Sequence, residues 1–496
     1  MHKKKVIIIG SGIGGMATAV RLAVQGFEVV VYEKNSVPGG KLTAFKKDGF
    51  SFDAGPSLFT QPQNVEELFA LAGEPIEKYF SYKPISIACK YFYENGKIIN
   101  AYTNQEQFAN ELQEQVNENP SNVIRYLKQS KKIFDNIGTM FLNNSLHKSK
   151  TWLHKRVFTA LKTVRYNYLF QSLHKHNSSQ FLAAETVQLF NRFATYNGSN
   201  PYKAPAMLSL IPHLEQNQGT FYPIGGMISI TNALYRLALN KGVTFNFNAP
   251  VERIIEQEKM VKGVVVAGDN IFSDIVVSNS DVYFVYKNLL NNHPKATKIL
   301  KQERSSSALI FYWGISKQFP QLQLHNIFFT ANYQQEFDTI FNSKKLYHDP
   351  TIYINITSKE EPGQAPDAKE NWFVMVNVPA NAGQDWQALK EKARENIIAK
   401  LNRLLGEDIT PLIETEHTLD PVMIEEQTGS YMGSLYGTSS NSKMAAFVRH
   451  ANFTSSISGL YFCGGSVHPG GGIPLCLKSA KIVSDLIASD NHQKTT

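Results

Sequence analysis

Cysteine is scarce in this 496-residue sequence, which contains only Cys89, Cys463 and Cys476. The three residues form no CxxC pair and no even-numbered disulfide framework, and we expect no metal site. So few cysteines are typical of proteins from a reducing compartment, and we therefore expect a cytoplasmic protein.

Long apolar runs are also missing, since no stretch approaches the roughly eighteen residues of a membrane-spanning helix. The basic residues 3–5 before an apolar run imitate a signal peptide. The run breaks after residues 6–9 into a glycine motif, which cleavage would destroy, so we do not expect a signal peptide.

Charge of one sign is only mildly in excess, with 50 lysines and arginines against 42 acids and a net charge of +8. No basic helix with a recognised motif accompanies this excess, which argues against nucleic-acid binding. Hydrophobic residues make up 43% of the chain, enough for a large core in two or three structural domains.

A glycine-rich turn lies between two apolar runs near the N-terminus. Residues 6–9 predict a strand, a small-residue helix follows, and residues 29–32 predict a second strand that ends at Glu33. Gly10 permits the tight turn, Gly12 lets the backbone approach a pyrophosphate, and Gly15 lets the helix pack on the sheet. Gly14 belongs to the same turn. The helix N-terminus attracts phosphate, and Glu33 is placed to bind an adenosine ribose, so the unit predicts a dinucleotide site.

A second glycine-rich stretch indicates which dinucleotide is bound. After Glu33 come Lys34, Gly39, Gly40 and Lys41, and then Gly55, Pro56 and Ser57. This stretch resembles the flavoprotein superfamily that includes amine oxidases, protoporphyrinogen oxidase and carotenoid desaturases. The resemblance implies non-covalently bound FAD, held by these residues together with the N-terminal turn.

The remaining chain alternates between two kinds of segment. Residues 104 to about 190 favour helices, and a helix and short strands follow residue 220, with further strands predicted at 308–312, 351–356 and 372–378. The resemblance places Val251 beside the adenine and implies an α/β fold: a Rossmann-type FAD-binding domain with an inserted α+β substrate domain. We expect residues 1–75, 215–285 and 445–496 in the first domain, and 76–214 and 286–444 in the second.

The C-terminal motif is the most specific feature of the chain. Its glycine-rich loop leads into an amphipathic helix and resembles the bacterial carotenoid desaturases, in which a serine replaces the acid of the amine oxidases. The implied cofactor contacts are Gly464, Gly465, Ser466, Gly472, Ile473 and Pro474. A helix N-terminus beneath a flavin would stabilise the negative charge of the reduced ring.

Two side chains of this motif have alternative roles. His468 is a candidate acid or base because it lies in the flavin loop, and the alternative is a histidine that anchors the loop. Cys463 suggests a covalent flavin link, and the alternative is a small buried residue at the end of a strand.

Four internal stretches, at residues 192–201, 222–227, 325–327 and 433–437, resemble the phytoene-desaturase-type family. Within that family, residues 465–472 look most like the hydroxycarotenoid 3,4-desaturases. The resemblance implies an FAD-dependent oxidoreductase whose substrate is a 1-hydroxylated acyclic or monocyclic carotenoid end. The enzyme would transfer a hydride from this end to flavin N5 and so form a C-3,4 double bond. Phytoene desaturase is the main alternative; a carotenoid isomerase and a non-enzymatic prenyl-chaperone are the others.

Basic and aromatic residues alternate between residues 148 and 175. This pattern is typical of amphipathic helices that lie on membrane surfaces, and it predicts peripheral membrane association. The alternative is a core-facing helix with a solvated basic side.

Overall fold

The computed structural model of the protein describes residues 3–152, 168, 170–442 and 449–495. The strands, in chain order, are β1 (Lys5–Ile9), β2 (Glu28–Tyr32), β3 (Ala44–Lys47), β4 (Phe50–Asp53), β5 (Tyr82–Pro84), β6 (Ile87–Phe92), β7 (Ile98–Tyr102), β8 (Phe221–Pro223), β9 (Thr244–Asn246), β10 (Val251–Gln257), β11 (Met260–Val266), β12 (Asp269–Phe272), β13 (Ile275–Ser278), β14 (Ser307–Ile315), β15 (His325–Phe328), β16 (Ile352–Ile356), β17 (Glu370–Val378), β18 (Ile413–Leu419) and β19 (Leu460–Phe462).

The α-helices, between which short 3-10 and π-helical segments occur, span Ile13–Val24, Gln63–Ala72, Gln105–Val116, Pro120–Ile133, Thr139–Asn143, Ser149–Trp152, Leu173–Ser178, Ala184–Asn191, Ile228–Asn240, Val282–Phe284, Lys295–Leu300, Tyr333–Asp338, Trp386–Leu405, Pro421–Thr428 and Ile473–Thr495.

A parallel sheet of five strands has the order β19-β13-β1-β2-β9. Its central strand β1 is almost wholly apolar because both faces of the sheet are covered. Val6 and Ile8 pack with apolar residues of the helices Ile13–Val24, Ile228–Asn240 and Ile473–Thr495. Ile7 and Ile9 instead pack with residues of the small antiparallel sheet β10-β11-β12.

A larger sheet of seven strands has the order β18-β14-β17-β16-β15-β6-β7. Most of its pairs are antiparallel, and β15 pairs with β6 in parallel. One face packs with the helix Trp386–Leu405, around the buried Trp313 and Trp372. On the opposite face, Tyr312 and Phe373 pack with Phe50 and Phe52 of β4.

The predicted strands are confirmed, with β14, β16 and β17 at the three runs beyond residue 300. The prediction of helices between 104 and about 190 is confirmed for the helices Gln105–Val116, Pro120–Ile133 and Ala184–Asn191. Most of the basic aromatic segment, residues 153–167 and 169, lies outside the described residues. Within the part of the chain that the structure describes, every helix is too short or too polar to cross a membrane.

Candidate functional site

The glycine turn after β1 leads directly into the helix Ile13–Val24. Gly10 donates its backbone N–H to the Tyr32 carbonyl at 2.8 Å, which keeps the ends of β1 and β2 together. Gly12 is the N-cap of the helix, and within the described chain no side chain caps this end. The first N–H groups of the helix therefore remain available to an anion.

The turn is packed too tightly for larger residues. A Cβ atom on Gly15 would overlap the Gly10 carbonyl oxygen, and one on Gly12 would lie 2.6 Å from Asn279 Nδ2. Asn279 follows β13, and it also lies against Gly14 and Gly464. It therefore joins the N-terminal and C-terminal glycine segments at the carboxyl edge of the parallel sheet.

The Glu33 carboxylate is buried at the end of β2. It accepts hydrogen bonds from Ser11 N at 2.7 Å, Ser11 Oγ at 2.8 Å and Asn35 N at 2.9 Å. The backbone N–H of Ala249 donates to the Glu33 carbonyl at 2.9 Å, which brings Val251 at the start of β10 near the same edge. A carboxylate offers about four lone-pair directions, so Glu33 retains acceptor capacity for ribose hydroxyls.

The second glycine pair folds back on the first turn. Gly39 donates its N–H to the Ser11 carbonyl at 3.0 Å, and Gly40 lies next to Gly12. Lys41 Nζ donates to the Leu435 carbonyl at 2.9 Å, and burial lowers the pKa of this amine. Lys34 Nζ donates to the Glu426 carbonyl at 2.6 Å. Both lysines thus bind backbone carbonyls of the segment before residue 436.

The loop of Gly55, Pro56 and Ser57 follows β4 and lies against the seven-stranded sheet. Ser57 Oγ lies 2.7 Å from Tyr353 Oη, and Tyr312 Oη donates to the Ala54 carbonyl at 3.1 Å. A Cβ atom on Gly55 would overlap the carbonyl oxygen of Lys41, so this loop lies directly against the second glycine segment.

The C-terminal motif lies at the same edge of the parallel sheet. Gly464 follows β19 closely and donates its N–H to Ser479 Oγ at 3.2 Å. Ser466 Oγ accepts the Val282 N–H at 3.0 Å. A Cβ atom on Gly465 would lie 3.2 Å from Gly471 Cα. The structure therefore brings this motif and the N-terminal turn together.

A helix begins directly after the glycines of the C-terminal motif. Gly472 comes before Ile473, the first residue of the helix Ile473–Thr495, and Pro474 lies in its first turn. Proline is favoured there because the first helical N–H groups have no partner within the helix.

His468 is buried and binds main-chain oxygens. Its Nε2 lies 2.9 Å from the Phe141 carbonyl and 3.0 Å from the Asn144 carbonyl, so the ring holds the loop against residues 141–144. Burial lowers the pKa of His468 to about 4. These contacts favour the anchoring interpretation over acid or base catalysis.

The Cys463 thiol donates to Asn279 Oδ1 at 3.6 Å. Burial raises the pKa of this thiol to about 12. The sulfur therefore stays a neutral thiol, which favours a small buried residue at the strand end over a covalent flavin link.

Two residues of this region were missed in the sequence. Asn279 directly follows an apolar strand, and the carboxyl ends of parallel strands meet at one edge, which is the signal that could have found it. Arg449 donates to the carbonyls of Tyr436 at 2.8 Å and Gly465 at 2.9 Å. Its position in the sequence gives no comparable signal.

A second polar region lies on the face of the seven-stranded sheet next to Ser57. Tyr353 Oη, bonded to Ser57, lies 2.8 Å from His325 Nδ1. Nearby, the buried Arg192 donates to the Glu215 carboxylate at 3.0 and 3.1 Å, and its guanidinium lies 5.4 Å from the centre of the Tyr91 ring. The loop of Gly55, Pro56 and Ser57 is thus linked to this buried polar cluster through Tyr353, which bonds to both Ser57 and His325.

The site as a whole fits a dinucleotide. It combines an uncapped helix N-terminus, tightly packed glycines and a buried carboxylate at one edge of a parallel sheet. Those are the features that bind a pyrophosphate and a ribose. In the part of the chain that is described, no cluster of side chains has the composition of a metal site.

Comparison with known sequences also indicates a protein that binds a flavin dinucleotide. Residues 13–488 match the family of flavin-containing amine oxidoreductases. A 1-hydroxycarotenoid 3,4-desaturase of Flavobacterium sp. (strain P99-3) is 49% identical over 488 residues, which cover 98% of this chain and 100% of the relative. A phytoene desaturase of Fusarium fujikuroi is 30% identical, over 99% of this chain and 90% of the relative.

A solved structure shares the fold. The crystal structure of an oxidoreductase from Methanosarcina mazei has a TM-score of 0.66 at 16% identity, and covers 97% of this chain and 100% of that chain. At this low identity the similarity concerns the fold alone.

Proposed function

Because the chain belongs to the flavin-containing amine oxidoreductase family, and within it to the carotenoid desaturases, we propose that it oxidises a 1-hydroxylated acyclic or monocyclic carotenoid end to the 3,4-unsaturated product. It is an FAD-dependent oxidoreductase. The observation that carries the choice of substrate is the 49% identity over nearly the whole chain to a 1-hydroxycarotenoid 3,4-desaturase.

Our proposal for the cofactor follows from the geometry at the edge of the parallel sheet. The helix N-terminus at Gly12 would bind the pyrophosphate, Glu33 would bind the ribose, and Val251 would contact the adenine. The Ser57 loop and the first residues of the helix Ile473–Thr495 would hold the flavin, and the free N–H groups of this helix would stabilise negative charge on the reduced ring. The other proposed contacts are Gly10, Gly14, Gly15, Lys34, Gly39, Gly40, Lys41, Gly55, Pro56, Gly464, Gly465, Ser466, Gly472 and Pro474.

The proposed domains follow the two large sheets. Residues 1–75, 215–285 and 445–496 supply all five strands of the parallel sheet, and form the FAD-binding domain. Residues 76–214 and 286–444 supply the seven strands of the larger sheet, and form the substrate domain.

The reaction removes a hydride and a proton from adjacent carbons of an apolar chain. FAD, when bound, supplies the hydride acceptor. The protein orients the polyene end and excludes water. One face of the seven-stranded sheet is suited to this because it presents the buried rings of Tyr312 and Phe373 beside the partly buried Tyr353.

Parallel incubations test the proposed substrate. The FAD-containing enzyme is given phytoene and a 1-hydroxylated carotene, and products are followed by absorbance and mass. We expect a red-shifted product, lighter by two hydrogens, from the hydroxylated substrate and little from phytoene. Stepwise conversion of phytoene to lycopene would establish the alternative, a phytoene desaturase, to which the Fusarium fujikuroi relative gives weaker support.

We further propose that the protein is cytoplasmic and associates with membrane surfaces through the basic aromatic segment at residues 152–170. Trp152 and Phe170, at its two ends, are exposed aromatic residues, as is typical of a membrane-facing surface. An insoluble carotenoid also requires contact with a lipid phase.

Liposome flotation tests this association. We expect salt-sensitive binding to anionic vesicles that weakens when Lys155, Arg156 and Lys162 are replaced by glutamine. The matched control replaces the exposed lysines Lys392, Lys344 and Lys345 of the substrate domain by glutamine. Equal binding by both triple variants would assign the interface to another surface.

A further inference from the structure

Three buried polar side chains lie close together on the face of the seven-stranded sheet that contacts Ser57. They are Tyr91 of β6, His325 of β15 and Arg192, which follows the helix Ala184–Asn191, and are named here the polar triad. The exposed fraction is 0% for Tyr91, 1% for His325 and 8% for Arg192. In β15 and β6, Ile327 is paired with Tyr91, so His325 lies diagonally across from Tyr91.

Each member of the polar triad has a polar atom without a hydrogen bond. Tyr91 Oη, Arg192 Nε and His325 Nε2 have no partner among the residues that the structure describes. The Cys89 thiol, a weak hydrogen-bonding group, and the Arg192 guanidinium lie near the Tyr91 hydroxyl. Because a buried polar atom without a partner is costly, three of them at one place indicate a ligand.

The hydrogen bonds of His325 determine which group it offers. Asn355 Nδ2 donates to the Leu324 carbonyl at 3.0 Å and lies 3.2 Å from His325 Nδ1, so Nδ1 acts as an acceptor. Burial lowers the pKa of His325 to about 3, and the ring is therefore neutral. A neutral imidazole has one N–H, which here is on Nε2. His325 thus offers a free donor.

The charge of Arg192 is already balanced within the protein. Both of its bonds to Glu215 are buried, and Tyr196 Oη donates to the same carboxylate. A charged ligand would bring an unpaired charge into this apolar region, which is strongly unfavourable. The ligand that fits is a neutral group that both donates and accepts hydrogen bonds. An alcohol does so, accepting from His325 and Arg192 and donating to Tyr91.

We propose that the polar triad is the subsite that binds the tertiary hydroxyl of the 1-hydroxylated carotenoid end. This inference rests on the function proposed above. In such an end, one carbon separates the hydroxyl-bearing C1 from C3, so the hydroxyl must be bound close to the reacting 3,4 bond. The triad meets this condition, since His325 is linked to the Ser57 loop through Tyr353.

The apolar surroundings fit the rest of the chain end. Phe190, Phe193 and Phe329 pack in the same buried cluster as Tyr91. A hydrocarbon without the hydroxyl would therefore contact suitable surface but leave the triad unsatisfied. The triad then acts as a specificity device, because it penalises a substrate that lacks the group.

The decisive variant is Tyr91→Phe, which removes one oxygen atom and retains the ring. The holoenzyme is assayed with a 1-hydroxylated carotenoid and with its counterpart that lacks only the hydroxyl. We expect kcat/KM for the hydroxylated substrate, relative to the counterpart, to fall by about tenfold, the value of one hydrogen bond. The melting temperature should not fall, because the Tyr91 hydroxyl has no strong bond to lose.

Tyr93→Phe is the matched control. Tyr93 is a buried tyrosine close to the end of β6, and its hydroxyl donates to the Glu185 carbonyl at 2.9 Å. We expect this variant to melt at a lower temperature and to keep the wild-type ratio of kcat/KM between the two substrates.

Two variants of His325 test the second member of the polar triad. Glutamine retains a hydrogen-bonding group, so His325→Gln should lower the ratio of kcat/KM between the two substrates less than His325→Leu.

The outcomes separate the subsite from the function. If the wild type oxidises the hydroxylated carotenoid and Tyr91→Phe leaves the substrate ratio unchanged, the subsite is wrong and the proposed function stands. If the wild type prefers the counterpart without the hydroxyl, the proposed function is wrong and the subsite is overturned with it. A reduced ratio in Tyr91→Phe with an unchanged ratio in Tyr93→Phe supports both.

Discussion

At the scale of single residues, Gly12 has the clearest consequence for cofactor binding. We expect Gly12→Val to abolish FAD binding, because a branched side chain would occupy the place of the pyrophosphate and collide with Asn279. The measurement is flavin absorbance per protein after purification and incubation with FAD. Gly363→Val is the control, since Gly363 is exposed and a Cβ atom there meets open space. Stoichiometric flavin in Gly12→Val would refute the assignment of this turn.

The buried, neutral state of His468 should make the free energy of unfolding depend on pH. Its pKa in the folded protein, about 4, lies below the ordinary value of 6.5. The unfolded chain therefore binds a proton more readily, and stability is lost as the pH falls from about 6.5 to about 4. His468→Gln keeps an N–H donor for the two carbonyls but does not titrate in this range.

Denaturant unfolding at pH 7 and pH 5 measures this difference. We expect the free energy of unfolding of the wild type to fall between these two pH values by about 2 kcal/mol more than that of His468→Gln. His348→Gln, at an exposed histidine, should behave like the wild type. Equal pH dependence in all three proteins would show that His468 is not held neutral.

At the scale of elements, Asp53 connects β4 to the helix Ile228–Asn240. Its carboxylate accepts the backbone N–H groups of Met227 at 2.9 Å and Ile228 at 3.2 Å. Asp53→Ala leaves one buried and one partly buried N–H group without this partner, so we expect a loss of about 1–2 kcal/mol in the free energy of unfolding. Chemical denaturation at pH 7 measures it.

Asp385, which also accepts a backbone N–H at the start of a helix, is the comparison for Asp53. It is exposed and accepts the Ala388 N–H at 3.1 Å at the start of the helix Trp386–Leu405. Water can replace that bond, so Asp385→Ala should cost about 0.5 kcal/mol, the low end for caps. A larger loss at Asp385 than at Asp53 would contradict the connecting role assigned to Asp53.

The same scale explains what the sequence could predict. The turn from β1 to β2 is a local unit, in which strands, glycines and Glu33 follow each other in one order, and it was predicted together with the fold class. Asn279 and Gly12 are far apart in sequence and meet only because β13 pairs with β1. Such contacts depend on strand order, which local patterns do not determine.

The polar triad was only partly visible in the sequence. Arg192 and His325 occur in stretches that resemble the family, but nothing in those stretches shows that they meet Tyr91. Glu215, which neutralises Arg192, is 23 residues away from it, across several short helical segments. The roles of Lys34 and Lys41 were equally hidden in the sequence, because both bind carbonyls almost 400 residues away.

At the scale of the whole molecule, the two large sheets have different proposed roles. The parallel sheet gathers the proposed cofactor contacts at its carboxyl edge, and the seven-stranded sheet presents aromatic and polar side chains to the Ser57 loop. A chain of 496 residues is long enough to surround both a dinucleotide and a long apolar substrate with dry surface.

The most direct test of this account is anaerobic mixing of the FAD-containing enzyme with a 1-hydroxylated carotenoid. We predict that the flavin absorbance bleaches and that each reduced flavin is matched by one product molecule, lighter by two hydrogens and red-shifted. A product of unchanged mass with the flavin still oxidised, or bleaching by phytoene but not by the hydroxylated carotenoid, would contradict the account.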